Sequence, residues 1–371
     1  MTFEAFAQRL LQLLDEGRFV ATHKFAVLLG LIDALAESVG EDGRAPTTIA
    51  TRELARKVIK IYWPQTQQVA GHVKLPPDHG DQGRLQQNQR GQAEIVSRIV
   101  RFRSDTIEDS TIPLYQARLA NPAEFTKLVR FVEWKLIEMP LGRLQLIGKT
   151  HEPFIYELGW TPPLAQSVVQ RDDFTGQLVL LPGAGDHLLR MSSLLRPLVQ
   201  LTWALTVARW NALEDAGLDA FLFGVEREAL GRIATDLREH AHGQCFYCDG
   251  AVRAAQIDHF IPWDRHPDNG IHNLVYAHAR CNNDKRAFLA AEDHIEGMLL
   301  RMTDASSASA LAEIALKAGW ESHPAATLAI ARSTYLLTLP AGYKLWQRVG
   351  EFAPIDLPRV RAILERSVAL P

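Results

Sequence analysis

The chain has 371 residues, of which 47% are hydrophobic and 22% are charged, and its formal net charge is −3. Two or three domains are expected, because this length exceeds one ordinary hydrophobic core. The composition is that of a globular protein and excludes a disordered or fibrous chain. The net charge gives no global sign of a polyanionic partner, but a local basic surface would be sufficient for one.

Cysteine usage and hydropathy bear on the compartment. The three cysteines fall within the 37 residues 245–281, which favours a reducing environment and a metal role over a disulfide framework. The N-terminus lacks the basic and apolar blocks of a secretory signal. The longest apolar runs, 25–36 and 198–208, are interrupted by Asp33 and Gln200 and are too short to span a bilayer. A soluble, cytoplasmic protein without a membrane partner is therefore expected.

The first region, 1–115, has a helical pattern. Apolar residues at helical spacing predict helices over 2–16, 24–38, 51–62 and 93–102. Thr51 would cap the third helix, and Pro64 would end it. Residues 64–92 are rich in Gln, Gly and Pro and predict a long exposed loop. This arrangement fits either a helix-turn-helix relative or a plain helical bundle, and both readings remain open.

Basic residues are concentrated in the same region. Between Thr51 and Asp105 there are ten Lys or Arg residues against five Asp or Glu residues, a local net charge of 10 − 5 = +5. The basic residues are Arg52, Arg56, Lys57, Lys60, Lys74, Arg84, Arg90, Arg98, Arg101 and Arg103. Two interpretations are equally good: a face that contacts phosphates, or an ordinary solvated helix surface.

The second region, 116–239, mixes helices with short strands. Its patterns predict helices over 121–137, 188–213 and 221–240. They also predict strands over 144–147, 154–158 and 177–181. Asn121 or Glu124 would open the first of these helices, and Pro197 would kink the long second one.

The C-terminal region, 291–371, is again predicted to be helical. A helix over 288–302 leads into it, residues 303–309 resemble a linker, and 310–371 predict three more helices. With the short strands elsewhere, the expected fold class is mainly α with small β elements, an α+β chain.

Two pairs of soft metal ligands lie between these regions. The pairs are Cys245-x2-Cys248 and His278-x2-Cys281, separated by the 29 residues 249–277. Two such pairs make a closed structural Zn²⁺ site; buried free thiols are the alternative. The gap is too long for a C₂H₂ finger, and the H-x-E motif of zinc deaminases is absent.

Residues between the ligand pairs predict a compact ββα unit. Strands are expected over 256–260 and 273–277, followed by a helix from Arg280, with Asp258 and His259 at the end of the first strand. A unit of this size has almost no core of its own. Bound zinc would therefore supply folding free energy.

The combined pattern is C-x2-C, D-H-x-x-P, N-L-V and H-x2-C-N-x2-K in chain order. It resembles the HNH (His-Me finger) nuclease family, and in particular its zinc-containing branch. The resemblance covers only about residues 240–290 and implies an HNH nuclease domain there. The chain departs from the branch at His278, where Cys is frequent, and at Asn282, where His is frequent.

The resemblance implies roles for four side chains. His259 corresponds to the general base that takes a proton from the attacking water, a role that suits a group titrating near neutral pH. Asp258 and Asn282 correspond to ligands of a catalytic divalent ion, Mg²⁺ or Mn²⁺. Asn273 corresponds to the residue that orients the loop and the base.

Four further side chains are candidate substrate contacts. Lys285 and Arg286 follow the last ligand and could hold phosphates next to the scissile one. Arg265 and His266, in the loop between the strands, could also reach substrate.

The implied activity is metal-dependent endonucleolytic hydrolysis of nucleic-acid phosphodiester bonds, with DNA as the expected substrate. Restriction or anti-phage defence is the setting suggested by the family. The alternatives are a non-catalytic, zinc-stabilised DNA-binding module and a nuclease toxin activated by a partner. A partner protein or a homo-oligomer is also considered, since most of the chain lies outside the resemblance.

Overall fold

The computed structural model describes residues 1–16, 20–69, 83–106, 112–148, 150–213, 218–224, 227–339 and 342–365. About 57% of these described residues are helical and about 11% form strands in small sheets, which confirms the expected fold class. Contacts divide the chain into two compact units. Unit 1 comprises residues 1–35 and 46–225, and unit 2 comprises 36–45 and 226–371. The finer division at residues 115, 239 and 290 stays a prediction.

Unit 1 is mostly helical. Its helices are α1 (Phe3–Glu16), α2 (His23–Ala36), α3 (Thr51–Tyr62), α4 (Glu94–Thr106), α5 (Leu114–Ala120), α6 (Pro122–Glu138), α7 (Pro140–Arg143), α8 (Gln166–Val169), α9 (Ala184–Trp210) and α10 (Leu218–Phe223). Its strands are β1 (Thr48–Ala50), β2 (Leu146–Ile147), β3 (Thr150–His151), β4 (Tyr156–Leu158) and β5 (Gln177–Leu180). The strands form a three-stranded antiparallel sheet, β1-β5-β4, and a β2–β3 pair.

The core of unit 1 is built around α2 and α9. Trp203 of α9 is fully buried, and its ring lies 6.0 Å from that of Phe25 and 5.3 Å from that of Tyr62. Asp33 interrupts the apolar run of α2 and forms a buried ion pair with Arg196. Within the described residues, no helix combines the length and apolarity needed to cross a membrane.

One expectation for unit 1 was wrong, and one strand was missed. Thr51 is the first helical residue of α3 rather than its cap; Ala50 precedes the helix, and the Thr51 hydroxyl donates to Glu133 Oε1 at 2.6 Å. Glu133 is fully buried, and a buried carboxylate requires hydrogen-bond donors. The Thr51 hydroxyl is one of these donors and therefore does not cap the helix. Strand β1 was not predicted, because three residues are too few to reveal a period of two. Residues 70–82 of the expected loop lie outside the described residues.

Unit 2 contains the two ligand pairs. Its α-helices are α11 (Ala234–His240), α12 (Ala279–Lys285), α13 (Glu292–Thr303), α14 (Ala305–Ala318), α15 (Pro324–Arg332) and α16 (Leu357–Leu364). It also has 3-10 helices at Arg227–Ile233 and Ile271–Asn273 and a π-helical segment at Ser333–Leu337. Its strands are β6 (Ala255–His259), β7 (Leu274–His278), β8 (Lys344–Arg348) and β9 (Glu351–Pro354). Strands β6 and β7 pair antiparallel, with Ala255 opposite His278 and His259 opposite Leu274. The expected order of strand, loop, strand and helix is therefore present.

The ββα unit shares its hydrophobic core with the C-terminal region. Buried residues from β7, α13, α15, β8 and α16 belong to one cluster, including Val275, Ile295, Leu328, Trp346 and Ile363. This shared core supplies the apolar burial that a 45-residue unit lacks on its own. A zinc ion bound by the four ligands would therefore not be the only source of folding free energy for this unit.

The C-terminal region differs from the expected run of helices. The predicted linker 303–309 is reduced to a break at Asp304, whose carboxylate caps α14 by accepting from the Ser307 N–H at 2.9 Å. A β8–β9 hairpin replaces part of the predicted helical stretch and turns at Gly350, where φ is +76°. The hairpin docks beside α12, because the Trp346 indole and the Gly350 N–H both donate to Asp284.

Candidate functional site

The four soft ligands converge in unit 2. The ligand atoms of Cys245, Cys248, His278 and Cys281 all lie within 4.8 Å of one another. The Cys248 and Cys281 sulfurs are 3.9 Å apart, and Cys248 Sγ is 3.3 Å from His278 Nδ1. Sulfurs bound at about 2.3 Å around a tetrahedral zinc ion would be roughly 3.8 Å apart. The cluster is thus compatible with a zinc ion held by these four residues.

Local structure determines how these ligands meet. Cys245 and Cys248 lie on a turn before β6, His278 ends β7, and Cys281 lies in the first turn of α12. The other ring nitrogen of the histidine, His278 Nε2, is 3.1 Å from the Ala251 carbonyl oxygen. That contact assigns the ring proton to Nε2 and turns Nδ1 toward the sulfurs, as is usual for a metal-binding histidine.

Asp258 is held by a buried hydrogen-bond network. Its Oδ2 accepts from the Tyr247 hydroxyl at 2.6 Å and from Lys285 Nζ at 2.9 Å. The Lys285 side chain is 0% exposed. Burial lowers the pKa of Lys285, and the charge of Asp258 opposes that shift. Both bonds end on Oδ2, so Oδ1 is the oxygen that could coordinate an ion.

His259 is buried at the end of β6. Its Nε2 lies 2.8 Å from the side-chain oxygen of Asn269, and the Trp263 ring meets the imidazole edge-on at 5.5 Å. Lys285 Nζ also donates to the His259 main-chain oxygen at 3.0 Å. One lysine thus contacts both members of the Asp-His pair.

Asn273 is fully buried and closes the loop between the strands. Its Oδ1 accepts from the Ile261 N–H at 2.8 Å, and its Nδ2 donates to the carbonyls of Ile261, at 3.1 Å, and Asp268, at 3.0 Å. These bonds satisfy the polar groups of a buried amide and tie the start of the loop to its end.

Helix α12 covers the Asp258 face of β6. Asn282 Nδ2 donates to Gln256 Oε1 at 2.8 Å, and one turn later Lys285 contacts Asp258. Gln256 and Asp258 are two residues apart on a strand, so they project from the same face. Asp258 and Asn282, the two expected oxygen ligands, therefore lie on the same side of β6.

The expected substrate contacts have different surroundings. Arg286 is exposed, whereas Arg265 is half-buried and donates to the Tyr343 hydroxyl at 3.0 Å. Lys285 and His266 are buried, and His266 Nε2 lies 3.6 Å from Glu37 Oε1. Burial argues against direct substrate contacts by Lys285 and His266, because their charged or polar ends are already engaged inside the unit.

Part of the basic charge of residues 51–105 is also engaged within unit 1. Arg52 pairs with Glu133 at 2.9 Å, and the Arg103 guanidinium stacks on the Trp63 ring at 3.8 Å and donates to its carbonyl. A phosphate-contacting face in this region stays a prediction. Three of the charged residues in the count lie outside the described residues: Lys74, Asp78 and Asp81.

Sequence reasoning missed four side chains of this site. Tyr247 lies within the C-x2-C pair and Gln256 lies two residues before Asp258, so their positions could have suggested them. Asn269 and Trp320 offer no such signal, because their contacts depend on how the loop and the α14–α15 connection fold together. The indole N–H of Trp320 donates to the Asn269 carbonyl at 2.6 Å.

Comparisons with known proteins address the same segment. Residues 245–291 match the model of a protein family described as HNH endonuclease. Comparison with curated proteins gave no match, and comparison with solved structures gave none either. The matched segment is about an eighth of the chain. It contains both ligand pairs, the Asp258–His259 pair, Asn273 and Asn282. Residues 245–291 are thus an HNH endonuclease segment, with a Cys3His cluster that fits the zinc-containing form.

Proposed function

We propose that this chain is a metal-dependent endonuclease that hydrolyses nucleic-acid phosphodiester bonds through its HNH segment. The observation that carries the proposal is the buried Tyr247–Asp258–Lys285 network next to His259. Burying a carboxylate and an ammonium group carries a desolvation penalty that a hydrophobic core would avoid. A module that only bound DNA would need neither this pair nor a histidine at the strand end.

In the proposed reaction, the His259 imidazole accepts a proton from a water molecule as that water attacks the phosphorus in line. The products implied by the family are a 5′ phosphate and a 3′ hydroxyl. Asp258 and Asn282 would hold Mg²⁺ or Mn²⁺, and such an ion would supply stabilisation of the negative charge that develops during hydrolysis. Asn273 keeps the loop between β6 and β7 closed.

The soft-ligand cluster has a structural role in this proposal. Cys245, Cys248, His278 and Cys281 would hold Zn²⁺ and fix the start of α12 against the end of β7. Because all four positions around the ion would be occupied by protein, no coordination site would remain for substrate. Zinc would therefore not take part in the hydrolysis.

DNA is the substrate we propose, with Arg286 and the half-buried Arg265 as its phosphate contacts in unit 2. Arginine suits this role because its planar guanidinium can make two hydrogen bonds to one phosphate. A role in restriction or phage defence rests on the family resemblance alone.

The test uses supercoiled plasmid and single-stranded RNA, each with and without added Mg²⁺ or Mn²⁺. We expect ion-dependent cleavage of the plasmid by wild type and by an Asp264→Ala control, which removes an exposed carboxylate from the same loop. Asp258→Ala should abolish it. Cleavage of RNA alone would overturn the choice of DNA. Plasmid binding without cleavage under any of these ions would instead support a binding module.

A further inference from the structure

The loop between β6 and β7 is held by residues outside the matched segment. Residues 320–327, called the connection below, lead from α14 into α15 and include the first turn of α15, and they lie against this loop. The Trp320 indole donates to the Asn269 carbonyl at 2.6 Å, and the Thr327 hydroxyl donates to Asp268 Oδ2 at 3.0 Å. His323 Nε2 lies 3.0 Å from Asp268 Oδ1. Several independent hydrogen bonds thus fix one short stretch of the loop.

The approach of the connection to the loop is close. A Cβ atom at Gly270 would lie 2.7 Å from His323 Nε2 and 2.9 Å from Asp268 Oδ1. Contacts this short do not occur around ordinary side chains, so a larger residue at this position would displace the His323 or the Asp268 side chain. The loop N–H groups are also used, since Ile271 N–H donates to the Glu321 carbonyl at 2.9 Å. The loop conformation therefore depends on the connection.

Asn269 transmits this arrangement to His259. Its main-chain oxygen is anchored by Trp320, and its side-chain oxygen lies 2.8 Å from His259 Nε2. An amide oxygen can only accept a hydrogen bond, so the imidazole proton is on Nε2 and the lone pair is on Nδ1. The Trp263 ring against the imidazole edge limits rotation of the same side chain. The ring thus has one tautomer and one orientation.

We propose that Asn269 is a positioning residue that sets the tautomer and orientation of His259, and that the connection 320–327 holds Asn269 in place. The inference rests on the proposed function, because it assigns His259 the general base role. It goes further by making catalysis depend on residues 320–327, which lie outside the matched segment 245–291. Positioning groups of this kind are worth about 10- to 100-fold in activity when removed.

The first experiment replaces Asn269 with alanine and with aspartate. Asn269→Ala should lower kcat by about 10- to 100-fold with little change in KM, while zinc content and the thermal unfolding midpoint stay at wild-type values. Asn269→Asp retains an acceptor and should recover most of the rate. An Asn269→Ala enzyme with wild-type kcat would overturn the proposal.

A second readout does not depend on activity. In protein labelled with ¹⁵N-histidine, the His259 ring signals are assigned by their loss in His259→Gln. Wild type should show protonated Nε2 and unprotonated Nδ1, and Asn269→Ala should show a mixture of both tautomers. If the ¹⁵N chemical shifts of the His259 ring in Asn269→Ala are the same as in wild type, the inference is wrong. Absence of any cleavage by wild type would instead overturn the proposed function, so the two failures are distinguishable.

The role of the connection is tested with a matched pair of threonines. Thr327 and Thr334 are both buried in the same helical run, but the Thr334 hydroxyl donates to the Ile330 carbonyl within its own helix. Thr327→Val should lower kcat about 3- to 10-fold, as expected for loss of one hydrogen bond. Thr334→Val should leave kcat unchanged. Equal kcat values for the two variants would exclude a role of the connection in positioning.

Discussion

The two clusters on the β6–β7 hairpin are held in different ways. The Cys3His cluster consists of its own four ligands, which come from two short sequence motifs and meet each other directly. The Asp258–His259 pair depends on groups from elsewhere: Tyr247, Lys285 and Asn269. A metal cluster can thus be recognised from spacing alone, whereas an acid–base pair also depends on partners that spacing does not reveal.

The two clusters also differ in burial, in part. In the Cys3His cluster Cys245 and Cys281 are buried, but Cys248 is exposed and His278 is half-buried. In the other cluster Asp258, His259 and Lys285 are all buried. A closed zinc site needs no dry environment, because the metal–ligand bonds supply its free energy. The buried Asp258–Lys285 pair is offset only by good geometry and further hydrogen bonds. This difference agrees with the proposed roles, in which the Cys3His cluster stabilises the fold and the Asp258–His259 cluster carries out the hydrolysis.

The largest expected effect is on the metal cluster. Cys281→Ala should lose the bound zinc and lower the free energy of unfolding by roughly 3–5 kcal/mol. This loss is smaller than the zinc-binding free energy of about 10–16 kcal/mol in peptides that fold only with zinc. It is smaller because the core shared with α13, α15 and α16 remains. Metal analysis and denaturant unfolding measure the two quantities. Asp249→Asn, an exposed neighbour in the same turn, is the control. One zinc per chain in Cys281→Ala would exclude this cysteine as a ligand.

On the acid–base side, Lys285→Met should leave Asp258 buried without its ammonium partner. Breaking a buried ion pair lowers the free energy of unfolding by about 3–5 kcal/mol, and the zinc content should not change. The matched control is Lys317→Met, because Lys317 pairs with Asp236 but is 74% exposed. This control should stay within about 1 kcal/mol of wild type. Equal destabilisation of the two variants in urea would contradict the account.

The loop that supports His259 should introduce a pH dependence through His272. Burial, with the charges of Arg301 and His323, lowers the pKa of His272 to about 4, while Asp268 opposes the shift. In the unfolded chain this pKa is near 6.5, so between about pH 6.5 and 4 the unfolded state binds more protons. Stability from this group is therefore complete above pH 6.5 and decreases as the pH falls toward 4.

The expected loss from His272 is about 2 kcal/mol between pH 7 and pH 5. Urea unfolding at the two pH values should show it in wild type and in His242→Gln, which changes an exposed histidine. His272→Gln should show a smaller decrease. An identical pH dependence in all three proteins would rule out this group as its source.

The smallest expected effect separates structure from ion binding at Asp258. Tyr247→Phe and Tyr335→Phe each remove one buried hydroxyl, bonded to Asp258 and to the Ala290 carbonyl respectively. Each should lower the free energy of unfolding by about 1 kcal/mol. Only Tyr247→Phe should change the Mn²⁺ concentration needed for half-maximal cleavage. A similar change in Tyr335→Phe would show that the effect is general destabilisation.

Much of the ββα unit could be predicted from the sequence, because its main features depend on residues that are close together in the chain. The ligand pairs lie on tight turns, the strands alternate or are fully apolar, and the Asp-His pair ends a strand, so each feature depends on neighbouring residues. Helices such as α6 and α9 were found for the same reason. Asn121 and Glu124 were the two residues predicted to open α6, and Asn121 is the cap, since its side chain accepts from the Glu124 N–H.

Features that depend on distant contacts were not accessible. A lysine near the end of a helix is ordinarily exposed, yet Lys285 is buried because Asp258 and Tyr247 lie beneath it. The β8–β9 hairpin is stabilised by bonds from Trp346 and Gly350 to Asp284, more than 60 residues earlier. No periodicity contains that information. The partners of His259 were missed for the same reason.

The most direct test of the central claim compares wild type with His259→Ala in single-turnover plasmid cleavage, at saturating Mg²⁺ and matched zinc content. His242→Ala serves as a control for loss of a histidine from the same unit. Removal of a general base predicts a rate at least about 100-fold lower in His259→Ala, with zinc content and unfolding midpoint unchanged. Equal cleavage rates for wild type and His259→Ala would contradict the account.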